Sequence, residues 1–407
     1  MEIVVQKYGG SSVATTDKIK KVAEKVIKKK EEGYHVVVIL SAMGDTTDTL
    51  ISLAKDITDN PSPREMDMLL TTGEQVSIAL LSMALNAKGY SAVSFTGSQL
   101  NIKTTSIHQK ARIKDIDVSK LRKALKEDKI VVVAGFQGVT EDNEYTTLGR
   151  GGSDTSAVAL AAKLNAKCEI YTDVDGIYTM DPRKLPRARK IDRICYEEMM
   201  EIASLGAGVI HYRAVELGHK YQIPIYIGST FSDNIGTIIT NRGGDSMEET
   251  VITGMASSTD DIQVTLLNLT SSTESLYKLF GELAAGEANV DMISQMLTED
   301  NKMHVSFTIP KTDVQLAKEI LNKWKEEDES IQWEVNTDIA KISVVGLGMR
   351  SHSGVAAKVF QLMAENDIEI KMITTSEIKI TWVVDIKDEL KAIQLIGKEF
   401  GLEEPAE

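Results

Sequence analysis

The first 240 residues alternate short, β-branched apolar runs with stretches of helical length, and few folds accommodate that pattern. The strand candidates are Ile3–Gln6, Val36–Leu40, Ala92–Phe95, Ile130–Ala134, Glu169–Thr172 and Ile223–Ile227. Between them lie helix candidates at Asp17–Lys30, Arg64–Ala87, Ser119–Lys126, Ser153–Leu164, Tyr196–Ser204 and Arg213–Tyr221. In Asp17–Lys30 the apolar residues Ile19, Val22, Ala23, Val26 and Ile27 recur at helical spacing. Near-continuous apolar strands are buried on both faces, so the expectation is an α/β domain with a mainly parallel sheet between helices. Such sheets bind ligands beyond the carboxyl ends of their strands.

The pattern changes at Asn241–Glu249, a polar, glycine-bearing stretch that reads as a linker. Beyond it the chain repeats itself. Val264–Leu267, Leu279-Phe280 and Val290–Ser294 correspond to Ile342–Val345, Val359-Phe360 and Ile370–Thr374. Each copy reads strand, loop, helix, strand, and then a further strand such as Thr381–Asp385. Two copies of one small unit form a packed pair more readily than two isolated folds. The expected organisation is a large α/β domain over 1–242, a linker over 243–259, and modules over 260–336 and 337–407. The C-terminal segment is expected to return to the first module.

Charge and side-chain inventory exclude several functions. The 407 residues carry 46 Lys+Arg against 60 Asp+Glu, a formal charge of −14, which opposes nucleic acid or an anionic membrane as partner. Cys168 and Cys195 form no CxxC, and the six histidines show no paired-ligand spacing, so no metal site is expected from side chains alone. The amino terminus lacks the basic flank and apolar stretch of a signal peptide, and the longest aliphatic runs are about five residues. A cytoplasmic location is expected.

Three glycine-bearing strings carry the chemistry. Lys7-Tyr8-Gly9-Gly10-Ser11-Ser12 leaves a strand and enters a helix. Paired glycines let backbone N–H groups approach an anion, and the lysine adds a cation for phosphate. It is neither a Walker A loop nor a dinucleotide fingerprint. In Gly149-Arg150-Gly151-Gly152-Ser153-Asp154-Thr155-Ser156, Arg150 offers a fork for a carboxylate or phosphate, and Ser153-Asp154 opens an alanine-rich helix. Ser153 or Asp154 as a plain N-cap explains the helix start but not the arginine among glycines. Thr172–Arg183 passes Asp173, Tyr178, Asp181 and Arg183, and reads either as turn chemistry or as a nucleotide loop. Ser41–Thr47 supplies hydroxyls after a buried strand. Thr72-Gly73-Glu74 interrupts a helical stretch, and an inward Glu74 suits a substrate ammonium.

Taken together, Lys7–Ser12, Ser41–Thr47, Thr72–Glu74, Gly149–Ser156 and Thr172–Arg183 resemble the aspartate kinases of the amino-acid kinase family. Gly348–Ala357 and Thr375–Ile378 resemble that family's second ACT module, so the likeness is collinear over essentially the whole chain. It implies an amino-acid-kinase sheet followed by two ferredoxin-like ACT modules. The activity it implies is ATP- and Mg²⁺-dependent phosphorylation of the β-carboxylate of L-aspartate, a phosphotransfer to a carboxyl group at the entry to lysine, threonine and methionine biosynthesis. By this likeness Lys7, Arg150 and Asp154 are catalytic. Thr47, Glu74, Arg150, Gly151, Gly152 and Ser153 bind aspartate. Lys7, Tyr8, Gly9, Gly10, Ser11, Ser41, Thr172, Asp173, Tyr178, Asp181 and Arg183 hold the nucleotide.

The ACT modules of the family resemble amino-acid sensors that pair across a dimer. The implied effector, lysine and/or threonine, then falls to Thr270, Ser271, Ser272, Thr273, Asn289, Val290 and Asp291, with Asp291 receiving an ammonium. A homo-oligomer, at least a dimer through these modules, is implied. The chain departs from the family pattern at Ser271–Glu274, Gly208, Tyr212 and Gly228. Alternatives are a relative acting on glutamate, acetylglutamate or carbamate, and a non-catalytic sensor on the same scaffold.

Overall fold

The computed structural model describes residues 2–206, 208–232, 236–241, 250–298 and 300–405. The chain divides into two compact units, Met1–Tyr178 with Lys190–Met247, and Thr179–Arg189 with Glu248–Glu407. The first unit is built on an eight-stranded sheet. Its strands are β1 (Ile3–Tyr8), β2 (His35–Leu40), β3 (Ala92–Phe95), β4 (Ile130–Ala134), β5 (Lys167–Thr172), β6 (Arg193–Cys195), β7 (Ile225–Ser229) and β8 (Thr237–Thr240). They lie in the order β6-β8-β7-β5-β1-β2-β4-β3. All neighbours are parallel except β7 and β8. The mainly parallel sheet expected from the apolar runs is therefore present.

Helices cover the sheet for reasons legible in their sequences. In α1 (Thr16–Glu31) the Thr15 side chain accepts from Lys18 N, Asp17 sits in the first turn and Lys28–Lys30 in the last, each matching the helix dipole. Its buried stripe of Ile19, Val22, Ala23 and Val26 packs with Val36, Val38, Leu40 and Val132 of the sheet. The expected helix Arg64–Ala87 is two helices, α3 (Pro63–Leu70) and α4 (Thr72–Ala87), broken at Thr71; α2 (Thr46–Ile57) precedes them. The run Pro63–Ala87 is long and apolar enough to cross a membrane by composition. Here Ile78, Leu81 and Leu85 are core residues of the sheet instead. Against the opposite face, α5 (Gly152–Leu164) packs on β1 and β5 and against α6 (Tyr212–Tyr221). A second sheet of four strands, within 102–147, has strands of only three or four residues, too short to show a period.

The second unit contains two modules. The first has β10 (Asp261–Thr270), α7 (Thr273–Ala285), β11 (Ile293–Leu297), β12 (Lys302–Pro310), α8 (Val314–Glu327) and β13 (Gln332–Asn336), in sheet order β11-β12-β10-β13. Alternating burial along β10 marks a sheet with helices on one face only. The second has β14 (Ile339–Val345), α9 (Val355–Glu365), β15 (Met372–Thr375), β16 (Lys379–Asp385) and α10 (Glu389–Glu399). Its fourth strand is β9 (Gly254–Ser258), antiparallel to β14. The expected linker 243–259 is thus corrected: 242–249 lie outside the described residues, while 254–258 belong to the second module. Gly-Met-Ala-Ser-Ser has little strand propensity of its own. Every residue of β14 is buried, so it has a paired neighbour on each side, and β9 supplies the second.

Two further expectations need correction. The catalytic domain is not continuous over 1–242, because Thr179–Arg189 pack in the second unit. There Met255 N donates to Thr179 O (2.6 Å), and Lys184 Nζ reaches Glu389 Oε1 (2.7 Å) and Ser257 Oγ (2.8 Å). The C-terminal segment returns to these residues and not to the first module. Leu402 O accepts from Thr179 Oγ1 (2.5 Å) and Arg189 N (3.1 Å), and Ala188 bridges Glu403. Leu402 is fully buried five residues from the end of the chain. Leu402→Ala is expected to cost about 2–5 kcal/mol, as for other buried leucines, in urea unfolding. A loss under about 0.5 kcal/mol, the level of surface changes, would mean that the tail is not docked.

Candidate active site

The carboxyl ends of β1, β2, β4 and β5 meet side by side, and the chemistry-bearing strings leave from them. After β1 the chain turns through Gly9, whose N–H donates to Tyr171 O on β5 (3.3 Å), into a short helical turn, Gly10–Val13. Gly44 N donates to Gly10 O (3.0 Å), which joins the loops after β1 and β2. A Cβ at Gly10 would stand 2.9 Å from Ala42 O, so the closeness of these two loops requires glycine. Beside the turn, Lys7 Nζ lies 2.7 Å from Asp154 Oδ1, with both side chains about one-tenth exposed. Asp154 Oδ2 accepts from His211 N (3.3 Å). Oδ1 is buried, with the Lys7 ammonium as its partner.

Asp154 sits in the first turn of α5, whose N-cap is Gly151 without any side-chain cap. Neither Ser153 nor Asp154 is the cap; Gly152 N donates to Gly149 O (3.0 Å), and the N–H groups of Ser153 and Asp154 are the ones left for a ligand. Gly151 has φ +68°, and a Cβ there would fall 2.2 Å from the His211 ring, so both conformation and space demand glycine. Ser153 Oγ accepts from Ser41 Oγ (3.0 Å) at the end of β2. Arg150 is exposed and pairs with no carboxylate among the described residues.

Glu74 lies in the first turn of α4 and is 2% exposed. Burial pushes its carboxyl up to about 7, while hydrogen bonds from Gln137 and the Ala42 backbone draw it partly back. Gln137 Nε2 reaches Glu74 Oε2 (3.4 Å) and Thr71 O (3.1 Å), and Ser77 Oγ donates to Ser41 O (2.8 Å). No cation among the described residues neutralises Glu74, so the site has a buried acid that lacks a counter-charge.

The structure brings Lys7, Gly9, Gly10, Ser11, Ser41, Gly151, Gly152, Ser153 and Asp154 into one neighbourhood, and Ser77 joins Glu74 to it. Tyr8 points the other way, fully buried and stacked on Tyr171. It is a core residue and not a ligand contact. Thr47 lies in the first turn of α2 and makes no hydrogen bond to these groups. Thr172 ends β5 and Asp173 follows it, with Thr172 Oγ1 donating to Asp173 (3.1 Å), and Tyr178 OH donates to Asp175 (2.8 Å). Asp181 and Arg183 pair with each other at 2.7 Å on the segment that packs in the second unit. Missed in the sequence were Ser77, Gln137, His211 and Phe136. Phe136 holds φ +67° at the end of β4, and a strained bulky residue there is a mark of a functional loop. Its only legible signal was the pair of glycines around it, Gly135 and Gly138.

The expected effector strip does not form one site within a chain. Thr270 pairs with Lys302, whereas Asp291 N donates to Thr308 O, opposite Gln263. Lys302 and Thr308 are six residues apart on β12, so the two ends are separated by about 20 Å at ~3.3 Å per residue. At one end Ser272 caps α7, accepting from Ser275 N (3.1 Å), next to Thr270, Ser271 and Thr273. At the other, Val290 packs on the module core beside exposed Asn289. Asp291 already has an ammonium partner: buried Lys341 bridges it (2.6 Å) and Asp261 (2.8 Å).

Glu74 gives the fold a specific pH dependence. Its folded-state value is raised above the ordinary 4.5, so the native state binds more protons between about 4.5 and 7. Stability contributed by the neutral acid is therefore full below about 4.5 and falls as pH rises to about 7. The span corresponds to about 3 kcal/mol. Glu74→Gln should flatten that fall in unfolding measured across this range, and an unchanged slope would assign it to other groups.

Comparisons with known proteins agree with this geometry. The amino acid kinase family model matches residues 2–229, and an ACT domain model matches 342–400. Aspartokinase 2 of Bacillus subtilis (strain 168) is 50% identical over 404 residues, covering 99% of this chain and 98% of the relative. The E. coli aspartokinase III structure in complex with aspartate and ADP (R-state) is 25% identical with a TM-score of 0.82, covering 98% of this chain and 99% of that one. The same protein in complex with lysine and aspartate (T-state) is 25% identical and gives a TM-score of 0.76, over 98% and 100%. A sheet with this strand order, a lysine–aspartate pair at its carboxyl ends and an ACT domain after it belong together: the chain is a member of the amino acid kinase family, in its aspartokinase branch.

Proposed function

We propose that the chain transfers the γ-phosphoryl group of ATP to the β-carboxylate of L-aspartate, giving 4-phospho-L-aspartate and ADP. The observation that carries this reading is the convergence of an anion cradle, the Lys7–Asp154 pair and a buried, unneutralised Glu74 at one end of the sheet. A carboxylate with a reference pKa near 4 is already an ionised nucleophile at pH 7 and needs no base. The difficulty is bringing an anion to a polyanion, so the protein's part is positioning and charge. Gly9, Gly10, Ser11 and Ser41 present N–H and hydroxyl groups to the phosphates, and Lys7 neutralises charge on the transferred group. Arg150 takes a carboxylate of aspartate through its fork, with Ser153 and the free N–H groups of α5 beside it. Glu74 receives the α-ammonium, which supplies the counter-charge that its burial denies it. Thr47, Thr172, Asp173, Tyr178, Asp181 and Arg183 complete the substrate and nucleotide contacts in this reading.

No group of three or more His, Cys, Asp or Glu among the described residues is placed to hold a metal ion. In this reading Mg²⁺ is carried mainly by phosphate oxygens, with Asp154, paired to Lys7, as the carboxylate beside the cradle. When bound, Mg²⁺ offsets phosphate charge. This reading places the enzyme in the cytoplasm at the entry to lysine, threonine and methionine biosynthesis, with diaminopimelate on the lysine branch. The complex of the E. coli relative with lysine and aspartate supports an amino-acid effector, which this reading assigns to the ACT modules. Because the two halves of the strip lie about 20 Å apart along β12, one site made from both takes residues from two copies. The edge strand β11 is exposed along its length, with Ile293 54%, Met296 60% and Leu297 65% accessible. An apolar open edge needs a cover, and a second copy of the module provides it.

Trapping the acyl phosphate with hydroxylamine, in the presence of Mg-ATP and L-aspartate, tests the reaction. Aspartate-dependent hydroxamate is expected, and product with glutamate alone would move the substrate. Lys7→Ala and Arg150→Ala are each expected to cost at least ~2–3 kcal/mol of transition-state stabilisation, as for preorganised charge donors. Near-wild-type turnover removes that residue from the mechanism. Light scattering is expected to give a dimer or larger at micromolar concentration, and a 44.7 kDa monomer would contradict the covered edge.

A further inference from the structure

We propose that Asp67 and Arg213 are positioning residues that hold the Arg150 loop for aspartate, an inference that rests on the reading of Arg150 as the substrate-carboxylate group. Neither has a polar contact with the cradle, and neither motif attracted notice in the sequence.

Asp67 lies in α3 with none of its surface exposed. Burying a carboxylate is costly unless its oxygens are fully engaged, and here every partner comes from two neighbouring segments. Nδ1 of His108 sits 2.7 Å from Oδ2, Gln109 N donates to both oxygens (3.1 and 3.2 Å), and Thr147 Oγ1 donates to Oδ1 (2.6 Å). Thr147 is the last residue of its strand, three positions before Arg150. Ala111 N closes the pair of segments by donating to Thr147 O (3.0 Å).

Arg213 fixes the same place from α6. Its two terminal nitrogens donate separately to Leu148 O (2.6 Å) and Ala111 O (2.9 Å). A planar fork spans two fixed carbonyls in a way that an ammonium cannot. Between these anchors Gly149 takes φ +77°, and a Cβ there would meet Gln109 O at 2.7 Å. His211, two residues before Arg213, occupies the space over Gly151. The backbone on both sides of Arg150 is therefore pinned, while its side chain stays exposed to reach a ligand. A long, rotamer-rich side chain binds a carboxylate well only if its Cα is fixed, because each uncertainty in its root adds to the ordering required on binding. Asp67 and Arg213 remove that uncertainty.

The test is steady-state kinetics of Thr147→Val, Arg213→Lys and Asp67→Asn, each alone and combined with Arg150→Ala. In single variants aspartate KM is expected to rise about tenfold or more, with kcat within about threefold and nucleotide KM within about twofold, the pattern of lost ground-state binding. In the Arg150→Ala background the same substitutions are expected to change aspartate affinity less than about twofold, since they act through the missing side chain. Calorimetric titration with aspartate replaces KM where turnover is too low. Additive losses in the double variants, equal rises in both KM values, or unchanged KM in the single variants each overturn the proposal. Thr147→Val and Arg213→Lys keep it decidable if Asp67→Asn does not fold. If Arg150→Ala alone leaves aspartate binding unchanged, the reading of Arg150 itself fails, which is a different result.

Discussion

A buried ion pair, Lys7 with Asp154, ties the first strand of the sheet to the first turn of the helix that carries the arginine loop. Pairs of this kind contribute little net stability, because desolvating both charges offsets most of their attraction. Their worth lies in geometry: with Lys7 held at 2.7 Å from Asp154, the glycine turn after β1, the end of β2 and the start of α5 have fixed relative places. Removing either partner would leave an uncompensated charge at the centre of that junction.

The surrounding polar groups follow from this constraint. Glycines at Gly10 and Gly151 allow backbone and ring to approach where any Cβ would collide. The first N–H groups of α5 are uncapped, Glu74 is buried without a cation, and Phe136 is held at positive φ. Each of these is unfavourable for the fold alone. Gathered at the carboxyl ends of four neighbouring strands, they form a site whose unmet demands match a ligand bearing phosphates, carboxylates and an ammonium.

The second unit has a different logic. Its two βαβ-containing modules share one pattern, but β9 precedes the first module and completes the sheet of the second. The hairpin of 177–178 and 190–191 belongs to the first unit while its tip, Thr179–Arg189, packs among β9, α10 and the tail. The chain thus enters the second unit twice, and the segment bearing Asp181 and Arg183 is structurally part of the regulatory half.

The sequence by itself determined the parallel sheet, the helices that cover it, the repeated modules and the glycine strings of the site. These rest on local periodicity and on backbone positions that only glycine can occupy, and both are written residue by residue. Tertiary structure decided the rest. Gly254–Ser258 is a strand because β14 is buried and paired on both sides, not because of its own composition. Tyr8 is core because its side of β1 faces α1 and Tyr171. Thr270 and Asp291 fall at opposite ends of β10 because strand register separates what the family resemblance had placed in one strip. Asp67, Arg213, Gln137 and His211 act on the site through contacts 57 to 102 residues apart in the chain, and no local pattern records a contact made only when the chain has closed on itself.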